Sequence, residues 1–201
     1  MRDFIGLYFS VIIDDEINNF QSFLSSIKKE VNQESEKLNK EWLKSSKTVE
    51  KKYLEDYQDN IICEYDKLNS FEQLLFKSFV ICCYSFMENY LSLLIKDGNL
   101  FSNIEYIKKT LDIEFIGKDT YDNLQKINKI RNCLVHKNGN ISEYKFEKVI
   151  KDFSKINNNL ISVSDNIINI KFEFLEFIMT INHKILKEIN KNIKLLVNIS
   201  G

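Results

Sequence analysis

The chain has 201 residues, of which 44% are hydrophobic and 28% charged, with a formal net charge of -1. This is the composition of a folded globular protein, not a disordered one; the length suffices for one domain with a real core. Near-neutrality excludes a global positive field as the means of drawing in nucleic acid, so any RNA site must be a local patch.

Proline is absent and glycine occurs five times. Both residues interrupt helices, so their scarcity predicts long helices joined by short polar turns. The four cysteines are Cys63, Cys82, Cys83 and Cys133. Their spacing matches no metal template and the adjacent pair cannot close a structural disulfide, so reduced thiols acting as small apolar fillers are expected.

At the N-terminus the apolar run from Phe4 to Ile13 is ten residues long, too short to cross a bilayer. It is followed by Asp14, Asp15 and Glu16, not by a small-residue cleavage site. It reads as the start of a buried helix or as an arm that packs on a partner, in a cytoplasmic protein that uses no membrane. Phe20, Phe23, Leu24, Ile27 and Val31 repeat at helical spacing, predicting one long helix or two over residues 3–40. From Asn32 to Asp59 charges of both signs mix, as on a solvated helix face or on a helix that leaves the globule to meet a second copy.

Ser70 followed by Gln73 forms a capping box and predicts a helix start. The segment after it, through Ile95, is apolar on nearly every side, which marks a central helix ended by Gly98. Glu88 stands inside that segment, and a buried carboxylate needs a partner. A shorter helix is expected over residues 103–111. Asp119 is expected to cap a further helix that stops at Asn138-Gly139-Asn140, and Ser142 to cap one over residues 143–156. Residues 160–170 alternate apolar and polar on both sides of Asp165-Asn166, which predicts a small hairpin. A last helix with an apolar stripe is expected over residues 172–197.

Chemistry concentrates in one stretch, Lys129-Ile130-Arg131-Asn132-Cys133-Leu134-Val135-His136. Leu124, Ile127, Ile130 and Leu134 form the apolar stripe of that helix, and Arg131 falls at its edge. A partly desolvated guanidinium is costly unless an anion or carboxylate waits for it. An imidazole can carry or release a proton near neutral pH. Together a fixed cation and an imidazole are the ingredients for cleaving a phosphodiester through the RNA 2′-OH, which needs no protein nucleophile, metal or cofactor. Five residues of helix turn the chain by about 140°, so Arg131 and His136 of one copy point apart. Convergence needs either a loosened last turn or a second copy, and a two-fold dimer with motif helices side by side would gather two of each in one cleft. The blander readings are an ordinary surface or core Arg and His, with Asn132 serving a cap. Cys133 and His136, three apart, also admit a thiol nucleophile, although no orienting acid is evident. His183 reads as a surface histidine.

The stretch from Arg131 to His136 resembles the signature of the HEPN superfamily of bacterial defence and toxin ribonucleases: an Arg, a polar residue, a few apolar residues and a His near a helix end. The apolar helix carrying Glu88 looks like the family's preceding central helix. The resemblance implies an all-α fold, a HEPN-like helical bundle whose shared core is residues 70–156; the long N-terminal helices and the small β-hairpin before the C-terminal helix go beyond that core. One domain is expected over residues 1–201, with a helical extension at 1–69 and the hairpin and last helix at 157–201. The resemblance does not extend to these additions. It implies a homodimeric, metal-independent endoribonuclease of a toxin or anti-phage system, with Arg131 and His136 catalytic and Asn132 and Glu88 supporting. Some family toxins carry a Tyr two residues after the His, used for silencing; here that residue is Asn138. Two alternatives stand beside it: a non-catalytic HEPN scaffold or ligand-binding module working with an antitoxin or defence-system partner protein, and an inhibitor or antitoxin whose partner is encoded alongside it.

Overall fold

The computed structural model of the protein describes the backbone of residues 2–95, 98–111 and 116–199, and the side chains of residues 11, 14–93, 98–110 and 116–192. Along this part of the chain run α1 (Arg2–Thr48), a single 3-10 turn (Lys51–Tyr53), α2 (Leu54–Ile95), α3 (Leu100–Leu111), α4 (Lys118–Lys137), α5 (Glu147–Ile156), β1 (Ile161–Ser164), β2 (Ile167–Ile170) and α6 (Phe172–Ile199). The fold is all-α, with one small antiparallel hairpin before the last helix, as the sequence predicts. The packing of Phe4 to Ile13, expected in a buried helix or a partner-binding arm, lies outside the described side chains.

The two longest helices differ from expectation. α1 has 47 residues and is about 70 Å long, continuing past the expected end at residue 40. α2 has 42 residues and passes through Ser70, which is exposed mid-helix and does not cap. The reason is tertiary. Val31, Ser35, Leu38, Trp42, Ser45 and Val49 are half-buried at alternating steps of four and three. That is the heptad seam of a coiled coil. Facing them from α2 are Leu54, Tyr57, Ile61, Tyr65, Leu68 and Leu75, also half-buried. Trp42 stacks on Tyr57 with ring centroids 6.2 Å apart. Between Ile27 and Phe76 no described residue is fully buried, so this stretch is an antiparallel helical arm standing out from the core by about 30 Å. Its mixed charges are solvated, and exposed ion pairs such as Lys37–Glu34 add little to stability.

Below the arm, α1 enters the core through Ile17, Leu24 and Ile27. There Phe79 of α2 meets Phe20 edge-on at 5.6 Å and stacks with Phe23 at 6.1 Å. Phe174, Leu175, Ile178, Ile181, Ile185 and Ile189 of α6 follow helical spacing and are buried against the same cluster. Cys83 and Cys133 are buried, but Cys63 and Cys82 are exposed, so only two of the four thiols act as core fillers.

Local boundaries also move. α3 begins three residues early because Asn99 caps it, its Oδ1 accepting from the Ser102 N–H at 3.0 Å. α4 begins after Gly117, which leaves Asp119 in the first turn facing the positive helix end and not at the cap. α5 starts at Glu147 because residues before it are spent on turns: Glu143 has φ +59°, and the Ser142 N–H donates to Asn140 Oδ1. The end of α4 is as predicted. Asn138 takes the left-handed conformation at φ 50°, Gly139 follows at φ 83°, and the Gly139 N–H returns to the Cys133 carbonyl.

Asp165 and Asn166, both at positive φ, make the two-residue turn that pairs Ile161 with Ile170 and Ser164 with Ile167. The loop after α4 is stitched onto this hairpin: the Ile168 N–H donates to the Gly139 carbonyl at 2.9 Å and the Ile141 N–H to that of Asn166 at 2.8 Å. Gln73 completes the link. Its side chain both donates to the Ile170 carbonyl and accepts from the Ile170 N–H, each at 2.8 Å. The residue that signals a cap in sequence thus clamps the hairpin to α2. Gln73→Ala is expected to lower unfolding stability by about 1–3 kcal/mol, read as a shifted urea midpoint with unchanged slope.

Candidate functional site

α4 packs against α2, α5 and α6, with Leu124, Ile127, Ile130 and Leu134 all buried. This stripe sets the direction of every other side chain on the helix at about 100° per residue. Arg131, at the stripe's edge, reaches α2. Its Cζ lies 5.2 Å from the Tyr84 ring centre, over the ring face. Its Nη2 is 4.0 Å from Glu88 Oε2, with the two side chains 20% and 30% exposed. At that separation the charges attract without a hydrogen bond. Glu88 therefore has the partner its apolar surroundings demand, and is half-buried, not enclosed.

Asn132 accepts from Arg131 Nη1 at 2.9 Å through Oδ1 and donates from its amide nitrogen to Asn128 Oδ1 at 3.1 Å. The chain Arg131–Asn132–Asn128 holds the guanidinium plane from the solvent side. Arg131 Nε is buried and has no hydrogen-bond partner among the described residues. An unmet buried donor costs about 1–3 kcal/mol. The guanidinium is 20% exposed, and Nη2, which makes no hydrogen bond with a described residue, is the N–H group left for an anionic oxygen. Tyr84 is pressed beneath it, and burial, aided by the Glu88 charge, pushes its hydroxyl well above the ordinary tyrosine range.

His136 is exposed in the last turn of α4 and makes no hydrogen bond or ion pair with a described residue. Arg131, Asn132 and Glu88 are thus brought together, with Tyr84 and Asn128 as further members that the sequence reading missed. Helical spacing was the available signal for both: Asn128 lies four residues before Asn132, and Tyr84 four before Glu88. His136 is not gathered in. It looks out from the face of α4 that also carries Asn132 one turn earlier and Lys129 two turns earlier.

No match is found when the chain is compared with protein-family models, curated proteins and solved structures.

Other readings of the motif are narrowed by geometry. Cys133 is buried, its thiol hydrogen donated to the Asn140 carbonyl at 3.4 Å, and burial pushes it up from the ordinary thiol range. A thiol so placed is a packing group and not an exposed nucleophile. His183 is exposed on α6, away from α4, in a groove between α1 and α6. Among the described residues no group of three His, Cys, Asp or Glu side chains is placed to hold a metal ion, and no helix is long and apolar enough to cross a membrane. Nearer the arm than the Arg131 cluster, α2 carries exposed Phe71 and Leu74, with exposed Cys82 further along, and α4 adds exposed Val135. A groove of about 600 Å³ lined by Leu74, Lys77, Asn138 and Asn169 joins α2 to the end of α4.

Proposed function

We propose that the chain is a cytoplasmic HEPN-type endoribonuclease that acts as a homodimer without a metal, as a toxin or anti-phage effector. The observation that carries this reading is the state of Arg131. A half-buried guanidinium, oriented by Asn132, Glu88 and Tyr84 and keeping Nη2 without a hydrogen bond to any described residue, suits a phosphate better than it suits structure alone.

In the proposed reaction a base removes the proton of an RNA 2′-OH, the 2′-oxygen attacks the adjacent phosphorus, and the 5′-oxygen leaves as it is protonated. His136 serves as the proton-transfer group and Arg131 stabilises the negative charge on the phosphorane oxygens. Asn132 keeps the Arg131 plane fixed, and Glu88 holds it from the α2 side. Because the two catalytic side chains of one chain diverge around the helix, the His136 that works with a given Arg131 comes from the second copy. The exposed Val135, one turn from Arg131, and the exposed Leu74, by the end of α4, are apolar surface such a copy would cover.

The test is incubation of the purified protein with structured and unstructured RNA in EDTA. Products with 2′,3′-cyclic phosphate ends are expected. Intact RNA at enzyme excess would reject the reading.

One observation favours a second reading. His136 has no partner and Arg131 already faces a carboxylate, which suits a non-catalytic helical scaffold in a defence or toxin–antitoxin complex. On that reading Arg131→Ala and His136→Ala would leave cell toxicity unchanged.

A further inference from the structure

The charge of the chain is unevenly placed. Residues 126–155 carry eight cationic side chains, Arg131 among them, against the three carboxylates Glu143, Glu147 and Asp152, a net of +5 within a chain of net -1. Much of this charge is on one surface. Lys145, Lys148 and Lys155 are exposed on and just before α5. With Tyr144 and Lys151 they line an open groove of about 480 Å³. Lys151 is neutralised by Glu147 at 2.6 Å, but Lys145, Lys148 and Lys155 have no carboxylate partner among the described residues. Aromatic rings are interleaved: Lys129 of α4 and Lys145 both lie over the Phe146 ring, at 5.1 and 5.2 Å from its centre. The Tyr144 hydroxyl donates to the Lys129 carbonyl at 3.2 Å, which ties this patch to α4. Lys129 and His136 are seven residues apart, so they share a face about two turns apart.

We propose that this α5 face, continued by Lys129, is a docking track for the phosphate backbone of single-stranded RNA, delivering the strand to His136. The inference rests on the nuclease reading for the destination of the strand, but not for its binding. Lysines without partners supply sequence-independent attraction to phosphates, and the groove is open along its length, as a flexible strand requires. Asp152 within the groove and the mixed charge around it disfavour a duplex, whose two phosphate rows need a broader unbroken positive surface.

The experiment measures fluorescence anisotropy of a labelled 2′-O-methyl oligoribonucleotide, which keeps the phosphates but lacks the nucleophile, with the full chain over a range of salt. The variant is Lys145→Gln/Lys148→Gln/Lys155→Gln, and the control of equal charge change is Lys29→Gln/Lys184→Gln/Lys187→Gln. For three lost phosphate contacts the track variant is expected to bind roughly 100-fold more weakly at about 0.1 M salt, with the slope of log K against log salt reduced by about 2. The control is expected to bind like the unaltered chain. Equal weakening in both variants, or none in the track variant, overturns the proposal, as does tighter binding of duplex or of phosphatidylserine vesicles than of the single strand. If the oligonucleotide binds through these lysines while natural RNA stays uncut in EDTA, the track stands and the nuclease reading fails. If RNA is cut and the track variant binds unchanged, the reverse holds.

Discussion

His136→Ala is expected to slow RNA cleavage by about 10²–10⁴-fold, the usual worth of a positioned proton-transfer group. The fold should be untouched, because the imidazole is exposed and supports no described neighbour; a change in stability within about 0.5 kcal/mol is expected. Arg131→Ala should cost about 10²–10³-fold, as for removal of one donor to a developing oxyanion. The geometry makes a sharper claim through mixing. With Arg131 turned toward α2 and His136 turned outward, the proposed site takes one group from each copy. Each variant alone is expected to be slowed as above. Co-refolded in equal amounts they form mixed dimers that retain one Arg131 and one His136, on different chains, and cleavage should return. Mixtures as inactive as their parents would show that the two groups do not meet across the dimer. Wild-type cleavage by His136→Ala would remove the imidazole from the reaction.

Phe79→Ala is expected to lower unfolding stability by about 3–5 kcal/mol. Phe79 is 1% exposed and sits where α1 and α2 join, its ring against Phe20 and Phe23 of α1. Truncation leaves a cavity that two long helices cannot close without shifting the arm they carry. Leu38→Ala, in the half-buried seam of that arm, should cost less, because solvent already reaches the seam and the site can relax. Urea unfolding of the two variants against the unaltered chain decides it. A loss at Phe79 below about 1 kcal/mol would mean that α1 is only loosely docked.

Both effects depend on how α2 is used. Its core face carries Phe79, its α4 face carries Tyr84 and Glu88, and its arm carries the coiled-coil seam. The packing at Phe79 and the side chains that hold Arg131 thus share a single continuous helix.

Much of this was legible in the sequence because the determinants are local. The Asn138-Gly139 stop, the Asp165-Asn166 turn, the stripe of Leu124, Ile127, Ile130 and Leu134, and the placing of Arg131 at its edge follow from backbone preferences and from the period of a helix. What sequence could not decide were competitions that only long-range packing settles. The Ser70–Gln73 pair satisfied the rule for a helix start, yet the seam shared by α1 and α2 continues the helix through it, and Gln73 instead serves Ile170, which is remote in sequence. Ser142 lost its cap to the turn that Asn140 and Tyr144 require. The ring beneath Arg131 and the carboxylate beside it come from a different helix, and their distances are set by how α2 and α4 cross. Local preferences are worth about 1 kcal/mol per residue, and the burial of a helix face outweighs them wherever the two disagree.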